Sequence, residues 1–230
     1  SLSDNHHLNS ENLKKSLRYL KYRGPDDINF IQKKNFWLGH TRLSIIDLKT
    51  GKQPITSNCK NYIISFNGEI YNYRELKKDL DYNFKTESDT EVILAGFIKD
   101  GINFFSKLRG MFAFAIFDNV KEEVIIARDK IGIKPMIYYH DKNFFSFASE
   151  IKSLLSFLDE KKIKKDNLYE FFLRRFIPSP KTIYDNIFKL RPGQIIKVSK
   201  QNQQIKKQII QDEFLIKNKK ISINNMEKNI

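Results

Sequence analysis

Between Phe112 and Ser149 the chain spells four short apolar runs: Phe112 to Asp118, Glu123 to Arg128, Met136 to His140 and Phe144 to Ser149. Turn clusters such as Asp118-Asn119 and Asp141-Lys142-Asn143 separate them. Strands at this spacing predict an antiparallel meander. Several of the runs, Phe-Ala-Phe-Ala-Ile-Phe above all, are apolar at successive positions instead of alternating with polar ones. A strand of that kind has both faces covered, so its sheet must lie between other layers.

The flanking segments supply candidates for those layers. Ser10 is placed to cap a helix from Glu11 to Tyr22, whose Leu13, Leu17 and Leu20 share one side. Gly24-Pro25 breaks it, and a strand is expected between Phe30 and Leu38. Asn61 to Phe66 reads as a further strand, and Arg74 to Asp79 as an exposed helix. Ser88-Asp89-Thr90-Glu91 has the form of a capping box, in which Ser88 and Glu91 satisfy each other's backbone N–H groups. The helix that it opens, Asp89 to Lys99, ends near Gly101. Ser149 is the expected cap of a helix from Glu150 to Leu158. Another helix, Asn167 to Phe176, stops before Pro178 and Pro180. Ile187 to Val198 reads as a last hairpin turning at Arg191-Pro192-Gly193. From Ser199 the chain is rich in Lys, Gln and Asn without periodicity, so 1–198 is expected to be the folded domain and 199–230 a linker or tail.

Composition narrows the function. The 230 residues are 40% hydrophobic, enough for one large domain or two small ones, and no run of about 18 apolar residues predicts a membrane span. The start, Ser-Leu-Ser-Asp-Asn-His-His, lacks the features of a signal peptide. A single cysteine, Cys59, leaves no internal disulfide framework and suits a reducing, cytoplasmic setting. The net charge of +14 comes from scattered lysine pairs, not from one basic stripe, and no nucleic-acid-binding motif accompanies it. Solvated surface is therefore the preferred reading, and no specific nucleic-acid partner is expected.

One stretch carries chemistry. In Ile63 to Tyr73, the pair Asn67-Gly68 would be a hairpin turn if a strand followed it. Because a helix follows instead, the pair is expected at a strand end. There a carboxamide and an unhindered backbone N–H side by side can hold a developing oxyanion. Asp89, in the first turn of its helix, is on local grounds only a complement to the helix dipole.

Taken in order, Arg23-Gly24-Pro25-Asp26, His40-Thr41-Arg42-Leu43-Ser44-Ile45-Ile46-Asp47, Gln53-Pro54, Asn67-Gly68-Glu69-Ile70-Tyr71-Asn72 and Ser88-Asp89-Thr90-Glu91 resemble the glutaminase domain of glutamine-hydrolysing asparagine synthetases. So do Leu108-Arg109-Gly110-Met111-Phe112-Ala113, Ala127-Arg128-Asp129, Gly132-Ile133-Lys134-Pro135 and Phe147-Ala148-Ser149-Glu150. The resemblance covers roughly residues 11–198 and is to a class II glutamine amidotransferase domain. It implies an α+β fold, the four-layer αββα sandwich of N-terminal-nucleophile hydrolases with antiparallel sheets. It also implies roles: Asn67 and Gly68 as the oxyanion hole, Arg42 on the substrate α-carboxylate, and Asp89 on its α-ammonium with Glu69 in support. The structural alternatives are an ion pair of Arg42 with Asp47 and a surface position for Glu69. Arg128, Asp129, Lys134 and Pro135 are expected to shape the domain edge near the ammonia exit.

The family's nucleophile is an N-terminal cysteine on a strand of five to eight residues, about the ordinary strand length, and this sequence has no counterpart of it. Ser1 stands too close to Arg23 to replace it, and Cys59 lies in a polar turn with no base beside it. By resemblance the parent protein hydrolyses glutamine and feeds ammonia to an ATP- and Mg-dependent synthetase domain that amidates aspartate or a related carboxylate. No cofactor or metal is expected in this domain. Its expected partners are glutamine and that synthetase domain, with a homodimer left open. The competing expectation is a non-catalytic glutamine-binding or scaffold domain of the same descent.

Overall fold

The computed structural model describes residues 2–3, 10–33, 36–43, 51–142, 144–199 and 205–210. In chain order the elements are β1 (Leu2–Ser3), α1 (Ser10–Leu20), β2 (Asp27–Lys33), β3 (Phe36–Arg42), β4 (Ile55–Thr56), β5 (Tyr62–Ile70), α2 (Tyr73–Lys78) and α3 (Asp89–Asp100). There follow β6 (Gly110–Asp118), β7 (Glu123–Arg128), β8 (Ile137–His140), β9 (Phe144–Ala148), α4 (Ile151–Leu154), α5 (Lys165–Arg174), β10 (Ile187–Lys189), β11 (Gln194–Ser199) and β12 (Ile205–Ile209). They build two six-stranded antiparallel sheets, β10-β8-β9-β1-β3-β2 and β12-β11-β7-β6-β5-β4.

Three apolar layers make this a four-layer sandwich. Between the sheets lie Phe36 and Leu38 of β3, Ile63 of β5, Phe117 of β6, Ile126 of β7 and Phe145 of β9, with Phe36 and Phe117 stacked at 3.8 Å. Outside the second sheet, α3 and the 3₁₀ turn after it pack Val92, Leu94, Phe104 and Phe105 onto Ile64, Phe66 and Phe114. Outside the first sheet, α1 sets Leu13 and Leu17 against Trp37, Phe144 and Phe157. The double-sided apolar runs of β6 and β7 are therefore interior strands with a layer on each face.

The tertiary structure corrects several local expectations. The single strand expected at 30–38 is a hairpin, β2 and β3, and β3 carries His40, Thr41 and Arg42 at its far end. The expected meander is divided: β6 and β7 pair in one sheet, β8 and β9 in the other. The chain changes sheets through 129–136. There Asp129 accepts hydrogen bonds from the backbone N–H groups of Ile131, Gly132, Ile133, Lys134 and Phe112, and Arg128 donates to the carbonyls of Gly132, Lys134 and Leu190. Such a polar crossover has no hydrophobic period, so the sequence pattern could not announce it.

Nor do the strands around Arg191-Pro192-Gly193 form a hairpin. β10 pairs with β8 and β11 with β7, in different sheets. The hairpin is β11 with β12, so the polar stretch read as a linker contains an edge strand. Its alternation was hidden because an exposed edge takes lysines. The expected reciprocal capping box is open. Ser88 does cap α3, accepting from Thr90 N at 3.2 Å, but the buried Glu91 carboxylate reaches further back to the N–H groups of Lys85 and Thr86. Glu150, not Ser149, occupies the cap position of α4. Ser1, residues 44–47 with the proposed Arg42–Asp47 pair, and residues 211–230 lie outside the described residues. Among the described residues no helix is long and apolar enough to cross a membrane.

Candidate active site

The two-residue period of a strand explains how the site is made. Along β5, Ile64, Phe66 and Ile70 enter the α3-side core, so Ile63, Ser65, Asn67 and Glu69 point towards the other sheet. Along β3, Gly39 backs onto Leu17 of α1 and Thr41 donates to Leu20 O, leaving Phe36, Leu38, His40 and Arg42 to face β5. Each strand thus starts apolar in the inter-sheet layer and finishes polar. Where the two polar ends converge, the layer opens into a cavity of about 530 Å³ that Arg42, Asn67, Gly68, Glu69 and Asp89 all line. The five residues singled out in the sequence are brought together.

Asn67 and Gly68 do not end the strand as expected: β5 continues to Ile70, with Gly68 opposite Phe112. Gly68 has φ +155°, and a Cβ there would strike the Met111 carbonyl. Glycine is thus required by the close approach of β6, and it lines the cavity beside Asn67. Arg42 is 7% exposed, at the end of β3 opposite Asp27. Asp89 is held at the α3 N-terminus, where one carboxylate oxygen accepts Ile70 N at 2.9 Å. Burial raises its pKa above the ordinary carboxylate value; hydrogen bonds from Ile70, Thr90 and Ser88 oppose this, and the neighbouring Glu69 charge adds to the rise. The site therefore joins one guanidinium, two adjacent carboxylates and an amide-and-backbone donor pair.

Two positioning residues were not singled out. Gln53 clamps β5 through its side chain, donating to Phe66 O at 3.0 Å while accepting Phe66 N at 2.7 Å, immediately before Asn67. The imidazole of His40 meets the Ser65 hydroxyl at 3.0 Å. Burial first, and the Arg42 charge second, push its pKa down to about 4, so it is neutral at physiological pH. Both stand in the quoted motifs, but only their contacts reveal a role. Cys59 lies elsewhere, exposed in a turn with its thiol 3.2 Å from the Ser57 hydroxyl, and does not line the cavity. Among the described residues no three His, Cys, Asp or Glu side chains gather to hold a metal ion.

The architecture places the protein among N-terminal-nucleophile amidotransferase folds. The allosteric regulatory enzyme of purine biosynthesis superposes with a TM-score of 0.63 at 19% identity, over 90% of this chain and 47% of that one. The glutamine phosphoribosylpyrophosphate amidotransferase of B. subtilis gives 0.53 at 22% identity, over 75% of this chain and 34% of that one. At sequence level the model of the glutamine amidotransferase domain matches residues 2–209, and the chain belongs to that family. Its homologues are glutamine-hydrolysing asparagine synthetases. Asparagine synthetase [glutamine-hydrolyzing] 1 of Bacillus subtilis is 40% identical over 186 residues, 80% of this chain and 29% of its own length. Asparagine synthetase B [glutamine-hydrolyzing] of Escherichia coli is 40% identical over 141 residues, 60% of this chain and 26% of its own. The chain thus spans less than a third of the length of either relative.

Proposed function

We propose that this chain is the glutamine-hydrolysing half of an asparagine synthetase-like ligase. The observation that carries the reading is the set of groups that the cavity gathers from its two facing sheets and the start of α3: the Arg42 guanidinium, the Glu69 and Asp89 carboxylates, and the Asn67 amide beside Gly68. A free α-amino acid with a side-chain amide has the matching groups. Arg42 would grip the α-carboxylate with its planar fork of donors, and Asp89 with Glu69 would hold the α-ammonium. Asn67 and Gly68 N–H would then face the side-chain carbonyl, where negative charge develops on attack.

The nucleophile would arrive on a strand. Leu2 lies opposite Phe36 of β3 and Phe145 of β9. A strand continuing back from Leu2 on the same line would run between β3 and β9 and reach Arg42 after about six residues, near the common strand length. A cysteine at its amino end would attack the amide, with its own α-amino group as base. The tetrahedral oxyanion would collapse to a thioester and ammonia, and water would then release glutamate. The ammonia would serve ATP-dependent amidation of aspartate or a related carboxylate in a separate, Mg-requiring domain of a cytoplasmic parent protein.

The test is to extend the chain upstream through that strand with a leading cysteine and to follow glutamate release. Asn67→Ala should then lower turnover about 10²-fold or more, and Arg42→Lys should fail to restore the binding that Arg42→Ala loses, since an ammonium lacks the fork. Glutamine binding without any glutamate release would replace this reading with the non-catalytic glutamine-binding domain.

A further inference from the structure

The helix α5 is out of keeping with the rest of the fold. Tyr169, Phe172 and Leu173, at helical spacing i, i+3 and i+4, are 69%, 72% and 65% exposed, and Phe176 just beyond the helix is 58% exposed. Of the ten helical residues only Asn167 is buried. The helix is tied to the body through polar side chains: Asn167 donates to Thr182 O at 2.6 Å, and Glu170 pairs with Lys181 at 2.6 Å. A helix of ten residues is marginal in water without burial of an apolar face. Isolated apolar residues on a surface are ordinary, but a contiguous aromatic stripe marks an interaction surface.

Two further observations select the occupant. The relatives that this chain matches are more than twice its length. The last described strand delivers the chain to this same side: β12 is the edge of one sheet, and its Lys207 ammonium lies 6.0 Å over the ring of Tyr138 in β8, next to the edge strand β10 of the other. The residues just before α5 meet that edge region, Lys164 N donating to Ile183 O at 3.0 Å. The rim of the stripe is basic, with seven Lys and Arg against two acids between Lys161 and Lys181.

We propose that the Tyr169–Phe172–Leu173–Phe176 face seats the second folded unit of the same parent polypeptide, which presents an apolar patch rimmed by acidic side chains. The proposal rests on the reading that the parent has a synthetase half, but it concerns where that half docks and not what the cavity hydrolyses. The experiment is hydroxyl-radical footprinting of the full-length parent, resolved by residue and corrected for intrinsic side-chain reactivity. Tyr169, Phe172 and Phe176 should react several-fold less than Tyr71 and Val120, which are 61% and 67% exposed on this domain. Reactivity equal to those two residues would overturn the docking face. Protection that disappears on dilution would overturn the assigned occupant in favour of a second copy. Phe172→Glu in the full-length protein, with unchanged circular dichroism, should restore Tyr169 reactivity; unaltered protection of Tyr169 would also refute the proposal. None of these readouts depends on glutamine turnover, so a failed glutaminase assay leaves the docking result intact.

Discussion

Asp89 and Asp129 are almost equally hidden from water, at 3% and 1% exposure, yet their pKa values are displaced in opposite directions. For both, burial is the largest influence and favours the neutral acid. At Asp129 the backbone N–H groups that converge on the carboxylate overcome it, and the pKa falls below the ordinary value. At Asp89 fewer donors converge and Glu69 adds a like charge, so the pKa stays raised. One carboxylate is satisfied by the fold and ties a crossover together. The other has fewer donors, stands beside a like charge and faces a cavity. The difference marks Asp129 as a structural acid and Asp89 as the candidate for binding, without reference to position in the sequence.

Isosteric substitution should break the comparison most plainly. Asp129→Asn puts an NH₂ group among N–H donors and should lower unfolding stability by about 3 kcal/mol or more, hydrogen bonds to charged groups being the strong ones. Urea denaturation checks this, and a loss below about 1 kcal/mol would mean that the loop holds itself. Asp89→Asn keeps an acceptor for Ile70 N–H, so stability should change by no more than about 1 kcal/mol. In the cysteine-extended enzyme, however, the KM for glutamine should rise by at least about tenfold for loss of a charged contact. An unchanged KM would remove Asp89 from the ammonium site.

The same two variants differ in sign with pH. A depressed carboxylate stabilises the fold above its unfolded pKa and loses that contribution as the pH falls through the folded one. The stability gap between wild type and Asp129→Asn should therefore narrow below about pH 4. A raised carboxylate behaves in the opposite way: its ionisation opposes folding, so Asp89→Asn should gain on the wild type as pH rises from about 4. Parallel profiles would dissolve the contrast. The smallest effect sharpens it: Ser88→Ala should remove about 1 kcal/mol through loss of the α3 cap, while leaving Asp89 bonded to Ile70.

Much of this was legible in the linear chain because it is local or periodic. The helical spacing of Leu13 and Leu17, the cap at Ser88 and the stop at Gly101 are all found in the fold. Apolar runs without alternation placed β6 and β7 inside a covered sheet. Arg42, Asn67, Gly68, Glu69 and Asp89 could be named because they fall in ordered motifs, and they do share one cavity. Gln53 and His40 sat in the same motifs, but their work is done through Phe66 and Ser65, which no spacing rule connects to them.

What the sequence alone determined was the position of several helices and interior strands, which of their faces are apolar and which residues to examine for chemistry, since propensity, period and capping act over a few residues. Only the tertiary structure decided which sheet each strand joins, that β5 runs on past Gly68, that β12 extends an edge beyond Ser199, and that the pKa values of Asp89 and Asp129 move in opposite directions. These depend on pairing and on donors brought from distant positions, as when Phe112 and the 131–134 loop close around Asp129. A carboxylate's surroundings are set by what folds around it, and that is not written in its neighbours along the chain.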